Sequence, residues 1–438
     1  MKIKIIYLFL IFWIGKETTL NAQVVNFPDE SFLEYLLLYT TVDANKDGQI
    51  QVSEAEAFTG AFTINSNITK LGGIEYFKNL TRLGIYSSPI TTLDVSQNTK
   101  LQYLEAKQTK LTALNLNNNN DLATIVLNNN SLLTQLTIGS KPQLQMLNVM
   151  YNKLEDLDVT FCPKLSAFYL TDNKLTTLDV TQNPRLAELN VGANLLTSLD
   201  LSKNTRLTYL AMGYNTISSL DLSKNTILNI ALLQGNPLTT LDLSKNSYLT
   251  QLVVDDTDIT TIDISMLSML QYFYASYTNL ETIDGSKNED LIYINAVECP
   301  VMKFINFKNN HNNNVYGFFA INSPNLKCIQ VDDPVYSSSQ QLWQKDSTAV
   351  YATDCSTILA TGETSNKKTA AYPNPTKGML YFSEKANDVT VYNAVGQIVA
   401  AFKDTDSINL ESLSAGNYIV KTTNSKDQSY TITKVIRN

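Results

Sequence analysis

The segment LDLSKNT begins at Leu199 and again at Leu220, and LDLSKNS follows at Leu241, so the chain repeats itself every 21 residues. The unit opening at Leu178 reads LxVxxNxxLxxLxVxxNxLxx, carried by Leu178, Val180, Asn183, Leu186, Leu189, Val191, Asn194 and Leu196. Other units open at Leu93, Leu114, Leu136, Leu157, Leu199, Leu220, Leu241, Ile262 and Ile283, with one spacing of 22 residues after Leu114. A divergent unit with Leu80, Leu83, Ile85 and Ile90 precedes them. Each LxV or LxL pair alternates with period two, which predicts a short strand with one face inward. The Asn that follows ends the strand, and its amide can bond open backbone groups of a stacked turn. One unit cannot bury its leucines. Stacked units can, and each buried side chain then contributes about 1.5–3 kcal/mol before entropy is counted.

A chain of 438 residues exceeds one ordinary core unless it is such an array. Its formal net charge is −8, and the first 22 residues carry +2, so the remainder holds −10. An acidic chain repels phosphate backbones, which argues against a nucleic-acid partner. The one histidine, His311, lies in KNNHNNN and reads as a solvated loop residue. Histidine-dependent catalysis and histidine metal sites are therefore disfavoured. No nucleophile elbow, HExxH, phosphate loop or dinucleotide fingerprint occurs, and no catalytic residue is singled out.

The N-terminus predicts an export signal over residues 1–22. Lys2 and Lys4 precede the apolar run Ile5 to Ile14, and Ala22 before Gln23 marks the cut. Ten apolar residues are too few to span a bilayer, and no later stretch reads as transmembrane. Residues 23–70 predict a helical N-terminal cap around DANKDGQIQVSE. There Asp43, Asn45, Asp47, Gly48, Ile50 and Glu54 occupy positions 1, 3, 5, 6, 8 and 12 of an EF-hand loop. Asp43, Asn45, Asp47 and Glu54 offer side-chain oxygens to one Ca²⁺, and Gln49 its carbonyl. The alternative is an Asx-rich turn that binds nothing.

The core motif LAELNVGANLL resembles the leucine-rich repeat family, and in particular a bacterial subclass with two alternating half-motifs in 21 residues. The expected fold class is mainly β: a leucine-rich repeat solenoid over 71–327, with the EF-hand-like cap before it and a C-terminal cap over 328–360. The resemblance implies that LNV-type strands line a concave face and LDL-type strands a convex one. Cys162 and Cys299 fall where other units carry Asn, a position at which the family accepts cysteine, and read as buried structural thiols. Cys328 and Cys355 flank 26 residues just past the last repeat, and in an exported protein they predict a disulfide locking the cap. The column Asp158, Asp179, Asp200, Asp221, Asp242, Asp263 and Asp284 allows a cation-binding ladder; the preferred reading is carboxylates bonded to turn amides. On the concave strands the solvent-facing positions give Tyr151, Tyr169, Asp172, Tyr214, Asp255, Asp256, Tyr274 and Tyr277 as candidate ligand residues.

A polar linker over 361–370 leads to short strand patterns separated by Gly and Asn turns, which predict a small β-sandwich over 371–438. Pro373-Asn374-Pro375 with Gly378, Tyr392-Asn393 with Gly396-Gln397, and Leu413-Ser414-Ala415-Gly416 with Tyr418 resemble the C-terminal sorting domain of the type IX secretion system. That resemblance implies passage through the type IX machinery and location outside the cell or on the outer-membrane surface of a Gram-negative bacterium. It also implies removal of this domain and, usually, attachment of the remainder to lipopolysaccharide. The leading expectation is a non-enzymatic, adhesin-like binding protein with a protein or glycan ligand. A structural surface component without a specific ligand is the alternative, and a carboxylate-dependent hydrolase comes last.

Overall fold

The computed structural model describes residues 23–438 apart from 66, 361–370, 394–396 and 424–429. The leader with Ala22, the linker and Gly396 lie outside the described residues. Contacts divide the chain into residues 1–353 and 354–438.

In the first unit, fourteen strands form one sheet from Ala61–Asn65 to Trp343–Lys345. Every pairing is parallel, and the register advances by whole units: Leu189 pairs with Leu210, and Leu210 with Ala231. Each LNV-type segment contributes one strand. The sheet also runs past both expected ends of the array, into the two caps. The LDL-type segments behave differently. They pair as strands only at Ala113–Asn115 with Gln135–Thr137, and in a four-stranded set from Thr282–Asp284 to Val350–Ala352. Between these, the segments form no strand ladder and are held by buried leucines, as at Leu199 and Leu201, and by the asparagine bonds that follow them. A stack clamped at strand spacing on one side is free to open on the other, and burying leucine needs no ladder bonds.

Two asparagine columns close the turns. After the LDL segments, Asn204 is fully buried, and its Nδ2 donates to Val180 O (2.9 Å) and Asn183 O (3.0 Å) of the preceding turn. After the LNV strands, Asn194 Nδ2 donates to Leu170 O and Val191 O, while its Oδ1 accepts from Leu175 N (3.1 Å). A buried carbonyl without a donor costs about 1–3 kcal/mol, so each column stabilises the stack by satisfying groups the turns leave open. Cys162 and Cys299 occupy these columns as buried free thiols, and burial pushes Cys162 up to about 11. They are inert core groups.

The register is kept beyond Phe304 although the spacing lengthens: Tyr293 pairs with Gly317, and Phe318 with Trp343. A 3-10 turn at Asn312–Asn314 and a helix at Pro334–Ser339 absorb the extra residues. His311 starts that turn, its Nδ1 against Asn309 O at 3.1 Å. The last turns bury Phe307, Phe318 and Trp343, with Phe318 and Trp343 stacked at 5.3 Å. Cys328 and Cys355 form the expected disulfide.

The second unit contains one five-stranded antiparallel sheet. Its long strand Met379–Tyr392 pairs with Ile398–Asn409 and with Gly416–Thr423, and Gly416–Thr423 pairs in turn with Tyr430–Arg437. Leu380, Val391, Leu410, Val420 and Val435 are buried in a core of its own. The described strands form a single hydrogen-bonded sheet, not the two separate sheets that short strands suggested. The strands are long, and a register shift between Tyr381 and Ala386 lets Met379–Tyr392 bend without ending. Among the described residues no helix is long and apolar enough to cross a membrane.

Candidate binding surface

Along each strand of the long sheet, outward side chains alternate with buried ones. Parallel register stacks them into rows. One row runs Ala211, Leu232, Val253, Tyr274, Asn295 and Phe319, and its neighbour runs Tyr209, Ile230, Gln251, Tyr272 and Tyr293. Toward the C-terminal end the rings meet. Tyr293 lies 5.1 Å from Tyr274, 5.5 Å from Tyr316 and 5.7 Å from Phe319 between centroids. Of this group only Tyr274 is legible from the repeat spacing as a ligand candidate. Tyr293 keeps the ordinary spacing from Tyr272 but precedes the strand positions read as solvent-facing, the lengthened unit hides the register of Phe319, and Tyr316 sits in the added residues.

Just past each strand, the residue before the ladder position (Asn, or Thr at 257 and 278) is left-handed: Tyr151, Asp172, Tyr214, Asp256 and Tyr277 have φ between 54° and 59°. Side chains other than Gly pay about 1–2 kcal/mol there. The corner is held by bonds between successive turns, such as Tyr214 N to Gln234 O at 2.7 Å. These five candidates therefore stand at the corner beside the sheet. Tyr169 and Tyr274 stand on the sheet itself, and Tyr169 donates its hydroxyl proton to Glu188. Asp255 lies between strand and corner.

The structure brings four candidates together. Tyr214, Asp255, Asp256 and Tyr277 line a cavity of about 590 Å³ that also touches Gln234 and Asn295. Asp255 accepts a bond from Ser276 N (2.6 Å). Burial raises its pKa, the Ser276 amide opposes this, and Asp256 raises it further. Tyr151, Tyr169 and Asp172 lie several turns away.

Near the other end of the sheet is a cluster the repeat pattern gave no reason to single out. Glu105, only 5% exposed, accepts from Tyr86 OH (2.6 Å) and Tyr103 OH and pairs with Lys107. Burial pushes its pKa up, but the Lys107, Tyr103 and Tyr86 bonds outweigh burial and hold it below the ordinary value. Arg82 lies 4.0 Å over the Tyr103 ring. These five charged or phenolic groups are satisfied by one another.

The aspartate column is a row of Asx turns. Asp200 Oδ1 accepts from Ser202 N (2.9 Å), Asp221 from Ser223 N (2.8 Å) and Asp242 from Ser244 N (2.9 Å), and Asp158, Asp179, Asp263 and Asp284 do likewise. The amide and hydroxyl bonds hold the Asp200, Asp221 and Asp242 carboxyls below their ordinary pKa. A carboxyl depressed by folding stabilises the native state above its unfolded pKa and loses that contribution as pH falls through the folded value. The column is thus expected to weaken the array below about pH 4. Asn keeps the turn acceptor without titrating. Changing Asp200, Asp221 and Asp242 together to Asn should leave the melting temperature at pH 7 unchanged and shrink its fall on acidification. A fall as large as that of the unmodified protein would show that other groups set acid stability.

In the N-terminal cap, helices Glu30–Tyr39 and Val52–Ala57 flank the loop. Gly48 is left-handed at φ 81° and Ile50 is buried, as the EF-hand pattern requires. Asp43 accepts from Asp47 N and Gly48 N, Asn45 from Asp47 N, and Asp47 from Gln49 N. Glu54 accepts from Ala44 N, Asn45 N and Gln51 N, the last as part of a capping box. The donor set is hard oxygen in a helix–loop–helix frame, which fits Ca²⁺ chemically. In this geometry the carboxylates serve loop amides, and among the described residues no group of three or more His, Cys, Asp or Glu side chains converges on a metal position.

Comparisons with known proteins follow these divisions. In structure the chain is similar to the functional domain of InlJ from Listeria monocytogenes, with a TM-score of 0.52 and 24% identity over 95% of this chain and 98% of that one. It is also similar to the internalin InlF from the same organism, with a TM-score of 0.51 and 20% identity over 74% of this chain and 96% of that one. At these identities the likeness establishes the fold. No curated protein matches the chain significantly. Residues 370–438 match the family described as secretion system C-terminal sorting domain. A type IX sorting domain of this kind places the chain at the cell surface or outer membrane of a Gram-negative bacterium. The chain therefore joins a leucine-rich repeat solenoid of 21-residue turns to a C-terminal domain that belongs to the type IX sorting family.

Proposed function

We propose that the protein is a surface-displayed, adhesin-like binding protein whose protein or glycan ligand is read by the outward rows of the long sheet and the corner beside them. The aromatic group of Tyr274, Tyr293, Tyr316 and Phe319 carries this reading. The core does not need rings there, because Asn148, Asn190 and Ala211 fill the row of Tyr274 and Phe319 in other turns, and Met146, Ala167 and Glu188 fill that of Tyr293. A tyrosine supplies an apolar ring and a hydroxyl together, which suits recognition of protein or sugar. The opposite side repeats Asp and Ser bonded to each other within turns, with Lys as a neighbouring opposite charge.

The test is a binding screen of the full chain against immobilised matrix proteins and glycans. It is followed by a Tyr169→Ala, Tyr214→Ala, Tyr274→Ala variant and an Asp200→Asn, Asp221→Asn, Asp242→Asn variant, both checked by circular dichroism. Affinity should fall at least about tenfold, roughly 1.4 kcal/mol, in the first and persist in the second. The reverse pattern places the ligand on the other face. Absence of any saturable ligand favours a structural surface component, and turnover of a probe favours a hydrolase.

We infer further that the loop 43–54 takes one Ca²⁺ through Asp43, Asn45, Asp47, the Gln49 carbonyl and Glu54. Its role is to stiffen the cap, since a single loop is not a cooperative sensor. Calcium at a hundred times its dissociation constant is expected to stabilise the cap by about 2.7 kcal/mol by mass action. Thermal melting in calcium and in chelator checks this. Asp43→Ala with Glu54→Ala should abolish the difference, and identical curves for the unmodified protein would reduce the loop to a turn.

A further inference from the structure

We infer that the cavity between Tyr214 and Tyr277 receives a basic side chain, best an arginine, presented by a partner polypeptide. This rests on the binding reading above and names the chemistry of one part of that surface.

The walls are aromatic by construction. Successive corners carry Tyr214, Gly235, Asp256 and Tyr277. A Cβ at Gly235 would lie 2.6 Å from Cδ1 of Tyr214, so the missing side chain is what lets the Tyr214 ring lie over that corner toward Asp256. The two tyrosines, 62% and 60% exposed, bracket Asp256, and Asp255 lies at the inner side of the same cavity.

The floor accepts hydrogen bonds and lacks a counter-charge. Asp255 and Asp256 are adjacent carboxylates, and no ion pair among the described residues involves either. Gln234 Oε1 and Asn295 Oδ1, on two other lining residues, are buried side-chain oxygens without a donor. The contrast with Glu105 is informative. There the chain answers a buried carboxylate on the same sheet with Lys107 and two phenols; at Asp255 it answers with the amide and hydroxyl of Ser276 and no cation.

Ligand classes then separate by charge. An anion is repelled. A neutral sugar supplies hydroxyl donors but leaves the half-buried Asp255 carboxylate without a counter-charge beside the exposed Asp256. A guanidinium supplies planar donors in a fork that fits a carboxylate, carries the opposite charge, and stacks on tyrosine faces. An ammonium meets the charge but not the fork or the stack.

The full chain is titrated with a fluorescent peptide carrying one arginine between glycines, and with matched lysine, citrulline and alanine peptides and a neutral chito-oligosaccharide. The expected result is saturable arginine binding at one site, weaker for lysine and at least about tenfold weaker for citrulline. Asp255→Asn with Asp256→Asn should weaken it about tenfold or more, and Tyr214→Ala severalfold. Asp200→Asn with Asp221→Asn removes the same charge elsewhere and should change it less than twofold. Melting curves confirm that all variants are folded. Equal loss in the two charge variants, or citrulline binding as well as arginine, overturns the inference, as does oligosaccharide binding that depends on Asp255 and Asp256 without arginine binding. A screened ligand that depends on Tyr169 and Tyr274 while the arginine peptide fails to bind sinks this inference alone and leaves the surface reading standing.

Discussion

Deleting residues 371–438 is expected to bring surface-exposed protein to background while leaving the array folded and held in the periplasm. The sorting-family match covers 370–438, and the five strands found there pair only with one another. Their buried residues, among them Leu380, Val391, Val420 and Val435, form a core separate from that of the repeats. A unit with its own sheet and core folds as its own domain, so its removal withdraws an address and not a support. Cell fractionation and protease shaving of intact cells give the readout, and melting of the purified truncated chain reports on the array. Truncated protein accessible at the surface would mean that export is encoded elsewhere. A truncated chain that cannot fold would mean that the tail is structural.

The array was legible because its period is imposed by backbone chemistry. A buried Asn must meet the carbonyls of the turn before it, as Asn204 meets Val180 and Asn183, and that demand recurs at fixed spacing whatever else varies. The Asx turns were legible for the same reason: Asp200 and Ser202 act within three residues. The left-handed corner was not. Its column holds Ser87, Gln108, Tyr151, Ala193, Asp256 and Glu298 alongside Asn129 and Gly235, a mixture in which the Gly or Asn expected at positive φ is the exception. Bonds to neighbouring turns fix it, and no local residue preference announces it. The cavity at Tyr214 was half legible. Alternation put Tyr214, Asp255, Asp256 and Tyr277 in solvent, but the closing of Tyr214 over Gly235 joins side chains in successive turns. The sorting domain's order of motifs was plain, whereas its long bent strand was masked by polar residues between Ser383 and Asp388 that read as a turn.

Replacing Lys141 with Met is expected to cost about 2–5 kcal/mol, among the largest effects of a single substitution in the array. Lys141 is fully buried in the first asparagine column, between Asn119 and Cys162. Elsewhere in that column each Asn amide donates to carbonyls of the turn before. Cys162 has no such amide, so a carbonyl at Ile138 loses its donor. The Lys141 ammonium covers both positions: Nζ donates to Leu116 O (2.9 Å), as a ladder residue at 141 should, and to Ile138 O (2.6 Å), as a ladder residue at 162 should. It also reaches Ser140 O at 3.2 Å. Burial lowers its pKa to about 8, so the substitution of Lys for Asn is itself costly. The long side chain and the cysteine thus form a compensating pair. Met fills similar volume without donating, and leaves two buried carbonyls open at about 1–3 kcal/mol each. Turns in a solenoid contact only their neighbours, so the defect should lower the stability of the flanking repeats and lead local unfolding there. Lys141→Asn alone should lose part of this, because Ile138 O stays unpaired. Lys141→Asn with Cys162→Asn rebuilds the column and should return stability to the unmodified value or above it. Denaturant unfolding of the three variants, with hydrogen exchange at residues 116–162, measures the coupling. If the double variant is no more stable than Lys141→Asn alone, the two positions are independent and the pairing is wrong.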